Sequence, residues 1–355
     1  MVADTKKPNV VRLAQIGLGA WSGATAEAIK RSKKTHLVTC FDVLPEKRKA
    51  FSEKYGCDQD QSYEDVARRE DIDGILITTP NVVHAEQAVL AAQHGKHVFV
   101  EKPIANTIAD GKKIIGACEK AGVVLMVGHY MRRFAGFRKA KELLDKGAIG
   151  KPIQVEGNVS SAQGFALTPN QFRWRGDDSG CPGGSLMTMG IHQADIFNHL
   201  FGPIKTVFSY FNKLYIEAPV EDVTATILQF ESGVLGYLGS NFDSPRTTWM
   251  YVYGTEANLL CSCALPEIPF AEMMLRVHLV DHDTRLQLFE KGKTGVRNIP
   301  LSIGDPVLEE IDEFADCIRT GGNPETDGPG ALVALALIRA AIESARTGKQ
   351  VPIEL

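Results

Sequence analysis

At about 150 residues per domain, a chain of 355 residues divides into two domains. Its 44% hydrophobic and 23% charged residues exclude a disordered or collagen-like polymer. A net charge of −4, with an isoelectric point near 6.2, supplies no field to draw in nucleic acid or an anionic membrane. The longest apolar candidate, Ala331 to Ile342, falls short of the roughly 18 residues of a membrane span and is interrupted by Arg339. Met1 to Asn9 is polar, with two lysines and no apolar core. The expectation is a soluble cytoplasmic protein without a nucleic-acid or membrane partner. The seven cysteines include no C-x-x-C pair, and Asp281-His282-Asp283 reads as a hairpin turn, so the thiols are expected reduced and no metal site is expected.

From Val10 to about Gly128, short apolar runs alternate with helical stretches, the grammar of βαβ units around a parallel sheet. Strands are expected at Val11–Ile16, Leu37–Phe41, Gly74–Thr78, His97–Val100 and Val123–Val127, each apolar enough to be buried on both faces. Pro45 opens a helix that Gly56 ends, and Gly95 ends another after His94. Ser62 to Asp65 and Thr107 to Asp110 resemble capping boxes, with Asp where Glu is commoner. Residues 1–128 therefore read as a doubly wound α/β domain.

After Gly128 the pattern changes. Ile153–Val159, Ile204–Tyr215, Val223–Phe230, Val234–Leu238, Trp249–Tyr253, Leu275–Val280 and Leu286–Phe289 alternate apolar and polar positions, which predicts an antiparallel sheet with two unlike faces. Phe230 to Val234 reads as a hairpin turn. Two helices close the chain, one capped by Asp305 with Pro306 at its first position, the other spanning Ala331 to Ala345. Residues 129–355 are thus expected to form an α+β domain with a large, open, mostly antiparallel sheet.

Gly17-Leu18-Gly19-Ala20-Trp21-Ser22-Gly23 follows the first strand and precedes a helix. A dinucleotide-binding turn needs a tight bend at the first glycine and close backbone approach at the second. A small residue is needed at the third site, here Ser22. Asp42 ends the second strand 25 residues after Gly17, close to the usual separation of about 20. A carboxylate there accepts from ribose hydroxyls and repels a 2′-phosphate, so NAD is expected over NADP.

Thr79-Pro80-Asn81-Val82-Val83-His84, Glu101-Lys102-Pro103, and Gly183-Gly184 followed by Gly190-Ile191-His192 and Asp195 together resemble the glucose-fructose oxidoreductase/inositol dehydrogenase (Gfo/Idh/MocA) family across essentially the whole chain. The resemblance implies a Rossmann domain followed by an α+β domain whose open sheet mediates homodimers or homotetramers. It sets Thr79, Pro80, Asn81 and His84 against the cofactor and Glu101 by the nicotinamide ribose. Lys102 would meet the reacting oxygen, and His192 would be the general acid/base. Where the family usually has Asp, four residues before that histidine, this chain has Thr188. On a regular helix Thr188 and His192 share a face, with Asp195 one turn on; threonine lacks the charge that stabilises an imidazolium. Either the His192 imidazolium is more acidic than in its relatives, or Asp195 partly compensates, or the dehydrogenase chemistry is weakened or redirected.

Further candidates are Tyr130, Arg132, Asp177 and Asp195 for substrate, and Trp174-Arg175 for the cofactor or a sugar face. The reading is an NAD-dependent oxidoreductase moving a hydride between nicotinamide and a secondary alcohol, carbonyl or lactol of a sugar or polyol. Two alternatives stay open: a redox-neutral NAD-dependent glycoside-cleaving enzyme, and a non-catalytic NAD- or sugar-binding regulator.

Overall fold

The computed structural model describes residues 10–166, 174–263, 281 and 283–355. Six parallel strands form the first sheet: β1 (Val11–Ile16), β2 (Thr35–Phe41), β3 (Asp58–Gln59), β4 (Gly74–Ile77), β5 (His97–Glu101) and β6 (Leu125–Gly128). Their order, β3-β2-β1-β4-β5-β6, reverses direction at β1. A doubly wound sheet opens a ligand crevice at such a point, beyond the carboxyl ends of β1 and β4. The interleaved helices are α1 (Ala20–Arg31), α2 (Pro45–Tyr55), α3 (Tyr63–Arg68), α4 (His84–Gln93) and α5 (Ile108–Ala121). Both expected capping residues act as such: Ser62 Oγ accepts from the Asp65 N–H at 3.0 Å and Thr107 Oγ1 from that of Asp110 at 3.1 Å.

Helix α6 (Ala135–Asp145) leads into the second sheet, built from β7 (Pro152–Ser160), then, after α7 (Ile191–Phe201), β8 (Ile204–Asn212), β9 (Val223–Phe230), β10 (Leu235–Asn241), β11 (Thr247–Gly254), β12 (Ala257–Cys263), β13 (Thr284–Glu290) and β14 (Arg297–Asn298). Helices α8 (Pro306–Thr320) and α9 (Gly328–Thr347) and the edge strand β15 (Val351–Pro352) follow. Among the described residues the strand order is β14-β13-β12-β11-β7-β10-β9-β8-β15, antiparallel except for the parallel pair β7–β10. Helix α7 lies so close to β7 that a Cβ on Gly157 would come within 3.0 Å of the Phe197 ring. This contact sets the depth of α7, and with it the depth of His192.

The last two helices return to the first sheet. The Phe314 ring on α8 packs edge-on to Phe99 of β5 at 5.8 Å, and Asp305 and Asp316 pair with Arg31 and Lys34 at the end of α1. Helix α9 touches both sheets: Leu332 fills the space over Gly111 of α5, Ile342 sits over Gly183, and Ser344 Oγ accepts from the Ser209 N–H of β8. It is long and apolar enough to cross a membrane by composition, yet its apolar residues, among them Leu335 and Ile338, are buried between the two sheets.

The differences from the expected elements have local causes. Helix α9 begins at Gly328, ahead of the expected Ala331, because Asp327 caps it by accepting the Gly330 N–H, so Gly-Pro-Gly forms a first turn. Strand β8 stops at Asn212 because the amides of Leu214, Tyr215 and Ile216 turn to the carboxylate of Asp222. Strand β12, not among the expected strands, buries Cys261 and Cys263 on one face. Leu275–Val280 and His282 lie outside the described residues.

Candidate active site

The glycine loop occupies the crevice at the end of β1. Gly17 has φ of +77°, and a Cβ there would lie 2.6 Å from the backbone nitrogen of Thr79 and 2.6 Å from its methyl carbon, so only glycine fits. Among the described residues, Gly19 precedes α1 with no side-chain cap, and nothing lies within 4 Å of the position its Cβ would take. Ala20 is exposed beside it, and Ser22 Oγ donates back to the Gly19 carbonyl at 2.6 Å. The free N–H groups of an uncapped helix start are a phosphate cradle. Asp42, 8% exposed at the end of β2, accepts the Leu18 N–H at 2.8 Å and the Leu44 N–H at 3.0 Å.

The segment after β4 supports this loop from the other side. Thr78 donates to the Gly17 carbonyl at 2.7 Å, Thr79 to Gln87 Oε1 at 2.6 Å, and Asn81 to Asn106 Oδ1 at 3.2 Å, while Pro80 opens the turn. The ring nitrogens of His84 lie 3.0 Å from the carbonyl oxygens of Thr79 and Pro103. His84 is fully buried. The expectation that it meets the cofactor is therefore corrected: it ties the Thr79 turn to the Glu101-Lys102-Pro103 loop.

At the end of β5, Glu101 is buried and accepts from the indole N–H of Trp21. Lys102 reaches from the end of β5 to the segment before α7, its Nζ donating to the Thr188 carbonyl at 2.6 Å. Leu186–Gly190 is a π turn leading into α7. Such widened turns leave carbonyls available and recur at functional sites. Thr188 and His192 share the cleft as expected, but their side chains are not bonded to one another. The Thr188 hydroxyl donates to the Gly184 carbonyl at 2.5 Å and lies 3.5 Å from Cys181 Sγ.

These elements enclose a cleft with a volume of about 140 Å³, lined by Trp21, Thr79, Asn81, Glu101, Lys102, Tyr130, Trp174, Arg175, Thr188 and His192 among the expected residues. The Tyr130 ring bridges its two sides, 4.9 Å from Trp21 and 5.2 Å from His192. Arg175 lies over the Trp174 ring at 5.1 Å.

Three expected substrate ligands are elsewhere. Arg132 and Asp195 form a two-pronged ion pair, both buried, with Arg132 Nη1 also donating to the Glu325 carbonyl. Two opposite charges sealed together have little left for a ligand. Asp177 is exposed outside the cleft and accepts from Ser179. Ser160, Ser161, Gln163, Arg246 and Thr248 line the cleft but were not singled out. A hydroxyl on an alternating strand carries no signal in the sequence of which cleft it faces. His129, buried behind His192, was also missed because it reads as a strand-end histidine.

Residues 11–129 match the oxidoreductase family with an NAD-binding Rossmann fold, and residues 137–260 match the Gfo/Idh/MocA C-terminal domain. The structure of an oxidoreductase from Desulfitobacterium hafniense DCB-2, described as NADPH-dependent, superposes with a TM-score of 0.91 at 34% identity, covering 97% of this chain and 98% of that one. The chain belongs to the Gfo/Idh/MocA oxidoreductase family. This oxidoreductase is also 28% identical to a D-apiose dehydrogenase of Paraburkholderia graminis, over 96% of its own length and 89% of the relative's. It is 26% identical to a 2,7-anhydro-N-acetylneuraminate hydratase of Escherichia coli K12, over 95% and 96%.

In this oxidoreductase the residues fit an NAD(P) cofactor: an open, uncapped helix start for the pyrophosphate and a carboxylate at the end of β2 for the ribose. Burial sets the electrostatics of the cleft. It lowers Lys102 from its usual 10.5, against the pull of Glu101, and raises Glu101 above the usual carboxylate range, against Lys102 and Trp21. Burial, with Lys102 and His129 adding to it, holds His192 well below 6.5. His192 is therefore neutral at physiological pH, the state a proton acceptor needs.

Proposed function

We propose that this oxidoreductase interconverts a secondary alcohol and a carbonyl, or oxidises a lactol, on a sugar or polyol, using NAD. The observation that carries the reading is the meeting of Lys102, His192 and Tyr130 in one cleft beside the glycine loop. Bound nicotinamide would supply or accept the hydride. Lys102, detached from the Thr188 carbonyl by an incoming hydroxyl, would stabilise developing charge on the reacting oxygen. His192 would take the hydroxyl proton in oxidation and return it in reduction. Glu101, Trp21, Trp174 and Arg175 would hold the nicotinamide end, and Thr79, Pro80 and Asn81 the pyrophosphate–ribose stretch.

Asp42 supports NAD, since a 2′-phosphate beside a buried carboxylate is repelled. The similarity to an oxidoreductase described as NADPH-dependent argues the other way, so both cofactors belong in the test. The proposed division runs between residues 128 and 129, with α8 and α9 returning across it. Exposed Tyr210, Ile227 and Leu235 on the second sheet support self-association through that face.

A panel of sugars and polyols is followed at the NADH band with NAD and with NADP, for the native protein and Lys102→Ala. Reduction of NAD by one sugar class, abolished in the variant, is the expected outcome. A second reading, a redox-neutral reaction in which the cofactor is reduced and reoxidised within one cycle, is favoured by the similarity to the hydratase. It predicts product formation with no net absorbance change. Tight cofactor binding without any turnover would overturn both in favour of a regulator.

A further inference from the structure

The cleft carries more positive charge than the proposed hydride transfer uses. Among the described residues that line it, Lys102, Arg175 and Arg246 are cationic and Glu101 is the carboxylate. Glu101 is already committed: Oε1 accepts from the Trp21 indole, and Oε2 from the Lys102 N–H at 3.2 Å. Arg175 lies over the Trp174 ring, on the side assigned above to the nicotinamide. Arg246 is the cation on which that chemistry does not call. It is half-buried in the turn between β10 and β11 of the second sheet, whereas Lys102 enters the cleft from the first. The turn is braced on both flanks of the arginine. Asn241 Oδ1 accepts from the Asp243 N–H at 3.2 Å and from the Ser244 hydroxyl at 2.8 Å. Ser160 Oγ donates to the Pro245 carbonyl at 3.0 Å, and Ser160 pairs with Thr247 in the sheet. A guanidinium on a fixed backbone loses less conformational freedom on binding than one on a loose loop. Burial raises the Tyr130 phenol, Glu101 adds to this and Arg246 opposes it, so the guanidinium acts on the ring that rests against His192.

We propose that the substrate is a sugar acid, and that Arg246 selects it by pairing with the carboxylate while Lys102 and His192 act on a hydroxyl of the same molecule. The inference rests on the proposed function of the cleft and names the substrate class within it. A planar carboxylate matches the guanidinium fork, and charge-assisted bonds of this kind are roughly twice as strong as neutral ones. A neutral sugar offers Arg246 only hydroxyls. The carboxylate also returns negative charge to a cleft in which burial, with Arg175 adding to it, lowers the proton affinity of Lys102 against the pull of Glu101. The acid therefore helps to keep Lys102 protonated for its work on the reacting oxygen.

Sugars that differ by a single carboxylate test this: glucose against glucuronate, galactose against galacturonate, mannose against mannuronate, each with the phosphate ester of the same sugar as a second anion. Binding to the NADH-loaded native protein is read by calorimetry, and turnover as kcat/KM. In at least one set the acid is expected to bind about tenfold or more tightly than the neutral sugar, the lower end of what a hydrogen bond to a charged group contributes. In Arg246→Gln the ratio of acid to neutral kcat/KM should fall roughly 10–100-fold. Arg246→Lys, which keeps the charge and loses the fork, should recover part of that ratio. If no acid outbinds its neutral counterpart, if the phosphate ester is preferred to the acid, or if the ratio is unchanged in Arg246→Gln, the proposal is overturned. The binding comparison is made on the native protein and stands even if a variant fails to fold. Absence of turnover with every sugar, neutral or acidic, would overturn the functional reading and leave the binding preference as a separate result.

Discussion

In the proposed reaction Lys102 and His192 need opposite charge states from one desolvated cleft: the lysine protonated to stabilise an oxyanion, and the histidine neutral to accept a proton. Burial lowers the proton affinity of both, which helps the histidine and narrows the range of the lysine. For alcohol oxidation, kcat/KM is therefore expected to be lost only below pH 6.5 on the acid side, where His192 protonates. On the alkaline side it should fall well before 10.5, as Lys102 loses its proton. Lys102→Arg, whose guanidinium does not deprotonate, should move the alkaline limb upward, while Lys102→Ala should lower kcat by about 10²–10³-fold, as for a lost oxyanion donor. Steady-state pH profiles check both. Gly17→Ala tests the loop: left-handed backbone alone costs about 1–2 kcal/mol, and the clash with Thr79 adds to it. Thermal denaturation and NADH titration should show a less stable protein with weakened binding.

Between elements, the Arg132–Asp195 pair clamps the connection after β6 to α7, the helix that carries His192. Asp195→Ala strands a buried guanidinium and is expected to cost about 3–5 kcal/mol, measured by urea denaturation. A loss below about 1 kcal/mol would mean that the pair is solvated and that α7 is held by packing alone. Strand and helix identities were readable because apolar period, proline and capping residues act within a few positions. Ser62, Thr107 and Asp305 each cap the helix expected of them. The π turn at Leu186–Gly190 was not readable. Its sequence suits a regular helix, and the extra residue in the turn is accommodated only with β10 and Lys102 packed around it. Ser185 Oγ donates to the Ser240 carbonyl, and Ser240 Oγ donates back to that of Ser185.

Across the molecule, neutral histidines are buried where the two sheets meet. His129 has its proton affinity lowered from 6.5 to about 4 by burial, against Asp195. The unfolded chain takes up a proton at this residue below pH 6.5 and the folded one does not. Its contribution is therefore full above 6.5 and is lost as pH falls toward 4, by about 3 kcal/mol at most. His129→Phe should accordingly gain stability relative to the native protein as pH is lowered through that window, a trend that melting temperatures at a series of pH values will report. A difference independent of pH would mean that His129 is solvated or charged in the folded state.

The residues at the crevice beyond β1 were legible in the chain because they are local: a strand end, a glycine that alone tolerates positive φ, a carboxylate at the next strand end. Glu101, Lys102 and His192 were legible through the motifs they sit in. Only the tertiary structure decided which charges face the cleft and which neutralise each other behind it. Arg132 and Asp195 are 63 positions apart and pair, His84 turns to two carbonyls, and His129 comes to lie against His192. Long-range packing makes those choices, since the sign and neighbours of a buried group depend on elements that meet only once both sheets are closed by α9.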